Sequence, residues 1–220
     1  MDNEPLIVDY FSDILCVWAW IAERRIEELN RYFKDKIEIR YQYIDLFGDT
    51  VNRIQTQWID KGMYEGFSKH VVEAATPYGS APVNSKVWLI TRPTTSANAH
   101  MVLKAIELTE NKQAAIIFAN VLRKSFFIEA KDISNLEILF SLLKQEGIIS
   151  EQIYKTLNNG SALAALMSDY QKAHEYDIKG SPSFVMNNGR QSLFGNVGYR
   201  VLQANIEELL KSSSTQASWC

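Results

Sequence analysis

Leu6 to Phe11 reads Leu-Ile-Val-Asp-Tyr-Phe, a short apolar run rich in strand formers, and it predicts a strand. After the break at Ser12-Asp13 the period lengthens. Ile26, Leu29 and Phe33 recur at helical spacing while Glu23, Arg24, Glu27 and Glu28 fill the other positions, which predicts a helix from about Val17 to Phe33. Ile37 to Ile44 then alternates with period two, the mark of a strand with one buried face. These three elements read as a β-α-β unit.

The pattern weakens from Asp45 to about Ser80, where Gly48, Gly62, Gly66, Pro77 and Gly79 interrupt short helical fragments; this stretch is expected to arch over one end of the sheet. Thr95 to Tyr176 shows helical periods, including Asn98 to Thr109, Gln113 to Phe127, Asn135 to Gln145 and Ala162 to Glu175, with Ser134 and Ser150 as expected caps. Ser183 to Met186, the Asn187-Asn188-Gly189 turn and Arg190 to Phe194 form a hairpin pattern, and Val201 to Leu210 reads as a closing helix. The predicted class is α/β, with a helical block set between two parts of one sheet. The expected divisions are 1–90, 91–177 for the helical insertion, 178–212, and a Ser-rich tail at 213–220.

A composition of 46% hydrophobic and 22% charged residues, in a chain of 220, supports a sizeable core. The formal charge of -3 gives no footprint for nucleic acid, and no run approaches the ~18 to 20 apolar residues that span a bilayer. The start Met-Asp-Asn-Glu-Pro lacks the basic stretch of a signal peptide, so a cytoplasmic location is expected. Two cysteines, Cys16 and Cys220, make neither a disulfide framework nor a zinc spacing, and His70, His100 and His174 are too dispersed for a metal site. No metal is expected.

Cys16 falls where the first strand meets the first helix. Unsatisfied N–H groups and the positive end of the helix dipole favour an anion there, so a depressed thiol pKa is expected if the sulfur is exposed. The plainer alternative is a small buried cysteine. His100 is open to the same two readings, as a substrate contact or as a packed histidine. Trp18 is expected at the site and Trp20 in the core. Arg190 and Arg200 read as solvated positions.

Phe11-Ser-Asp-Ile-Leu-Cys16-Val-Trp-Ala-Trp20 resembles the active-site segment of DsbA-like oxidoreductases, particularly the branch with Cys-Pro-Trp-Cys-Tyr. Cys16 matches the attacking cysteine and Trp18 the motif tryptophan, whereas Val17 stands for the proline and Ala19 for the second cysteine. Gly180-Ser181-Pro182-Ser183-Phe184 resembles the cis-proline loop of thioredoxin folds, and Phe127 to Ser134 and Asp169 to Ala173 also look like this family. The resemblance implies a thioredoxin fold carrying a helical subdomain, between a β-α-β unit and a C-terminal hairpin and helix. It further implies Cys16 as nucleophile, the Val17 and Trp18 amides as thiolate supports, and Ser181 and Pro182 as substrate-aligning residues.

Without a second cysteine in the motif, monothiol chemistry is expected, with a small thiol or thiol-containing substrate and glutathione as a candidate co-substrate; no tightly bound cofactor is expected. Cys220 is not expected to act as an obligatory resolving cysteine. The related 2-hydroxychromene-2-carboxylate isomerases and kappa-class glutathione transferases hold glutathione partly through a Gly-Asn-Asp-Arg or Gly-Ser-Asp-Arg segment. Here Gly195 and Asn196 fit that segment, making Asn196 a candidate contact, but Val197 replaces the acid. A glutathione-dependent isomerase or transferase and a non-catalytic binding protein are the two rival readings. A homodimer is compatible with all three.

Overall fold

A computed structural model describes residues 4–211. Four strands form one mixed sheet: β1 (Leu6–Ser12), β2 (Ile37–Tyr43), β3 (Ser183–Met186) and β4 (Gln191–Phe194), in the order β2-β1-β3-β4. β1 runs parallel to β2, with Val8 opposite Ile39, and antiparallel to β3, with Tyr10 opposite Phe184. The parallel pair needs a crossover, and helix α1 (Val17–Phe33) supplies it. The hairpin turn holds Asn187, Asn188 and Gly189 at positive φ, a conformation that asparagine and glycine accept readily.

The segment from 45 to 80 contains two helices, α2 (Thr50–Gln57) and α3 (Met63–Ala75). Gly66 explains why the pattern there is hard to read. It lies in the first turn of α3 against the backbone of Lys61, where a Cβ would sit 1.7 Å from the Lys61 carbonyl oxygen. The glycine is therefore a packing requirement within a helix.

The insertion comprises α4 (Ala97–Thr109), α5 (Lys112–Phe127), α6 (Leu136–Gln145), α7 (Ser150–Asn158) and α8 (Ser161–Glu175), and α9 (Tyr199–Lys211) closes the described chain. Two expected caps need correction. Asn135, not Ser134, caps α6 by accepting the Glu137 N–H, and the Ser134 hydroxyl instead donates to Asp132. Ile149, not Ser150, is the residue preceding α7. In both cases the chain enters the helix one residue away from the serine.

One core cluster lies between one face of the sheet, α1 and α9, with Tyr10, Ile26, Phe184 and Ile206 fully enclosed. A larger one joins α1 to α3 and the insertion through Trp20, Phe67, Trp88, Phe126 and Phe127. Buried polar ties lock the insertion onto the sheet. Arg123 of α5 pairs with Glu23 of α1 at 2.6 Å and donates to the Ser12 hydroxyl at 3.1 Å. Asp169 of α8 accepts from the Tyr43 N–H at 3.0 Å and from the Lys104 ammonium at 3.1 Å. A charge buried without its partner would be costly, so these pairs fix how the two parts meet.

Candidate active site around Cys16

Cys16 is the residue that opens α1, with extended backbone (φ -80°, ψ 119°). The preceding loop is held by Asp13, whose carboxylate is wholly enclosed. One oxygen accepts the Leu15 N–H at 2.9 Å, and the other accepts the Phe47 N–H and the Ser96 hydroxyl, each at 2.8 Å. Burial pushes the Asp13 carboxyl up to about 6 despite these bonds. His100 completes the support: its Nε2 accepts the Ile14 N–H at 3.1 Å and its ring stacks on Tyr43. Burial first, and the Arg123 charge second, push its imidazole down to about 3, so it is neutral. His100 is a packed residue that shapes the loop, and the substrate-contact reading does not hold.

Across from α1, the Ser181–Pro182 peptide is cis. The Cys16 thiol donates to the Ser181 carbonyl at 3.3 Å, and the Ser181 hydroxyl accepts the Asp13 N–H at 3.0 Å. The segment from Asp13 to Cys16 and the proline loop are thus joined twice, although 165 residues separate Cys16 from Ser181.

The expected depressed thiol pKa is not what the environment produces. Cys16 is only 4% exposed, and burial, the largest influence, pushes its thiol up. The Ser181 hydroxyl and the Ala19 and Trp18 amides act in the opposite direction, and the Asp13 charge adds to the rise. The amides that favour the thiolate therefore belong to Ala19 and Trp18, not to Val17. The helix end does favour the anion, as the sequence implied, but enclosure outweighs it.

A second wall faces the cysteine. Cys16, Val17, Trp18 and Ser181 line a cavity of about 240 Å³ whose other side is built by Phe47, Arg53, Trp58, Phe67 and His70. Phe47, Trp58 and Phe67 form a connected aromatic cluster, with Phe67 centred 5.9 Å from Phe47 and 4.9 Å from Trp58. Phe194 stands at the rim beside Gly180. Trp18 is half-buried at the cavity; Trp20 is in the core, stacked on Phe127 and donating its indole N–H to the Pro82 carbonyl. Asn196 is not among the lining residues: its amide is taken up by Arg25 at 2.6 Å and Tyr78 at 2.7 Å. Val197 packs against the core of α1 and α9.

This strand-to-helix cysteine facing a cis-proline loop agrees with a match over residues 10–209 to the thioredoxin family Thioredoxin_5. The chain belongs to that family. Among curated proteins, relatives of this chain include the ClpXP adapter protein SpxH of Halalkalibacterium halodurans, 25% identical over 94% of this chain and 69% of the relative. Among solved structures, the cytosolic disulfide reductase DsbM of Pseudomonas aeruginosa superposes with a TM-score of 0.69 at 17% identity, covering 94% of this chain and 99% of DsbM. A 2-hydroxychromene-2-carboxylate isomerase gives 0.65 at 18% identity, covering 93% and 96%. The fold is that of the DsbA-like oxidoreductases and their isomerase relatives.

Residues that the sequence did not mark as functional are Phe47, Arg53, Trp58 and Phe67. The signal that could have found them is the concentration of aromatics in a stretch otherwise rich in glycine. Cys220 lies outside the described residues. No described helix is long and apolar enough to cross a membrane.

Proposed function

We propose that this protein is a thiol-disulfide oxidoreductase working through the single thiol of Cys16, with glutathione or a similar small thiol as co-substrate. The observation that carries this reading is the Cys16 sulfur, 3.3 Å from the Ser181 carbonyl of a cis-proline loop, with alanine at position 19. In the first step, Cys16 loses its proton to solvent and attacks the glutathione sulfur of a mixed disulfide R–S–S–G. The old S–S bond breaks, R leaves as a thiolate, and Cys16 holds the glutathione. In the second step, the thiolate of another glutathione attacks the bound glutathione sulfur, and Cys16 leaves. The sum is R–S–S–G plus reduced glutathione giving R–SH plus glutathione disulfide, with each electron pair assigned.

A raised thiol pKa shapes this chemistry. Fewer molecules carry the thiolate at neutral pH, but each thiolate is a stronger nucleophile and a poorer leaving group. Attack is favoured over release, so the Cys16 adduct accumulates and the protein works as a reductant. Abundant reduced glutathione is then required, which fits a cytoplasmic location. Ser181 and Pro182 align the disulfide, while Val17 and Trp18 contact it at the cavity wall.

Turnover of a glutathionylated peptide by the wild type and by Cys16→Ser is the test. The variant is expected to lose roughly 10³-fold or more. Equal rates would remove Cys16 from the mechanism. A second reading, a non-catalytic adapter on the same fold, is favoured by the curated SpxH relatives and by the enclosure of Cys16. It predicts that partner binding survives Cys16→Ser and that neither protein turns over the peptide.

A further inference from the structure

Arg53 lies on α2, in the stretch whose sequence pattern is least regular. Its guanidinium is half-buried and sits over the Phe47 ring, 4.9 Å from the centroid. The Nε is enclosed without a hydrogen-bond partner, and the side chain forms no ion pair with any described carboxylate. Asp49, one turn earlier, has one carboxylate oxygen occupied by the Asn52 N–H at 3.0 Å. Arg53 lines both the Cys16 cavity and an adjoining one of about 510 Å³ that includes Asp49, Asn52 and Tyr170.

The other basic side chains on the Cys16 cavity are already accounted for. Lys179 pairs with Asp177. His70 packs on Trp58 and Phe67, and burial pushes its imidazole down. Among the described residues, Arg53 is the cation there that makes no contact ion pair with a carboxylate. Burial lowers its pKa, while negative charge on Cys16 and Asp13 raises it, so the guanidinium is within electrostatic reach of the reacting sulfur.

We infer that Arg53 selects thiol substrates that carry a carboxylate, pairing with that group while the sulfur is exchanged at Cys16. The inference rests on Cys16 as the exchanging thiol. A guanidinium offers planar paired donors that match a carboxylate, and partial burial strengthens the pairing by limiting competition from water. A neutral thiol would gain nothing from Arg53. Thiols with one or more free carboxylates, glutathione among them, form the class it would favour.

The test compares alkylation of Cys16 by iodoacetate, which carries a carboxylate, with alkylation by iodoacetamide, which does not. Both reagents meet the same thiolate, so the ratio of their rates cancels any change in the Cys16 pKa. Rates are read on the Cys16 peptide by mass spectrometry in the wild type, Arg53→Gln and Arg53→Lys. The iodoacetate-to-iodoacetamide ratio is expected to fall on the order of tenfold in Arg53→Gln, the size of a charge-assisted hydrogen bond. Arg53→Lys should hold the ratio within about threefold of the wild type, since it keeps the charge but not the planar fork. An unchanged ratio in Arg53→Gln, or equal losses with both reagents, would overturn the inference. No modification of wild-type Cys16 by either reagent would overturn it together with the exchange reading. A falling ratio without turnover of the glutathionylated peptide would instead sink the exchange reading and leave the selectivity of Arg53 standing.

Discussion

The two walls of the Cys16 cavity differ in how they are made. One is built from backbone geometry: the first turn of α1, with its Trp18 and Ala19 amides, and the Ser181–Pro182 loop, tied together through Cys16, Asp13 and the Ser181 hydroxyl. The other is built from side chains of the 45–80 stretch, chiefly Phe47, Trp58 and Phe67. The first wall favours a thiolate, because it points N–H groups at the sulfur. The second wall is lined chiefly by aromatic rings, which offer a thiolate little stabilisation. The net rise in the Cys16 pKa shows that enclosure wins.

The largest expected effect breaks the second wall at its frame. Gly66→Ala forces a Cβ against the Lys61 carbonyl, and because the obstacle is backbone, relief requires α3 to move. A loss of about 3 kcal/mol in unfolding free energy is expected, measured by urea denaturation at pH 7. An unchanged midpoint would mean that the first turn of α3 is not held in this close approach.

The contrast between the walls also explains what the sequence revealed. β1, α1 and β2 follow from simple periods, and α1 spans Val17 to Phe33 as its apolar spacing implies. The motif from Phe11 to Trp20 and the Gly180 to Phe184 loop located the first wall, because its chemistry is carried by a short run of backbone. The second wall was hidden for two reasons. Gly62 and Gly66 mimic loop signals, although Gly62 precedes α3 in a left-handed conformation and Gly66 makes room for Lys61. The aromatic residues that line the far side of the cavity lie tens of residues from Cys16 in sequence, which no local motif encodes. Asn196 matched its motif by position, yet its amide serves Arg25 and Tyr78.

The next effect concerns the support behind the first wall. His100 stays neutral in the folded protein down to about pH 3, whereas an unfolded histidine takes up its proton near 6.5. Between these values the unfolded chain binds more protons, so stability falls as pH falls. Asp13 acts in the opposite sense, since its folded carboxyl retains a proton below about 6 that the unfolded chain gives up until about 3.8. His100→Gln isolates the histidine contribution. The stability advantage of wild type over this variant should shrink by about 2 kcal/mol between pH 7 and pH 5. A constant difference would show that His100 titrates alike in both states.

Smaller effects tune the sulfur itself. Trp58→Ala admits water to the cavity, so the pH midpoint of Cys16 alkylation should move down and the rate at pH 7 should rise several-fold. Ser181→Ala removes a hydroxyl that favours the thiolate, so the midpoint should move up. The two substitutions act from opposite walls in opposite directions. A shift of the same sign in both would break the account of how the walls compete.

Whether Cys16 alone accepts and releases a thiol is read by following the Cys16 peptide by mass spectrometry after mixing the protein with a glutathionylated peptide. A glutathione adduct on Cys16 is expected, forming faster as pH rises, by about tenfold per unit between pH 7 and 8. Reduced glutathione added afterwards should remove the adduct and regenerate the thiol. An unmodified Cys16 throughout, with the peptide still glutathionylated, would contradict the exchange reading.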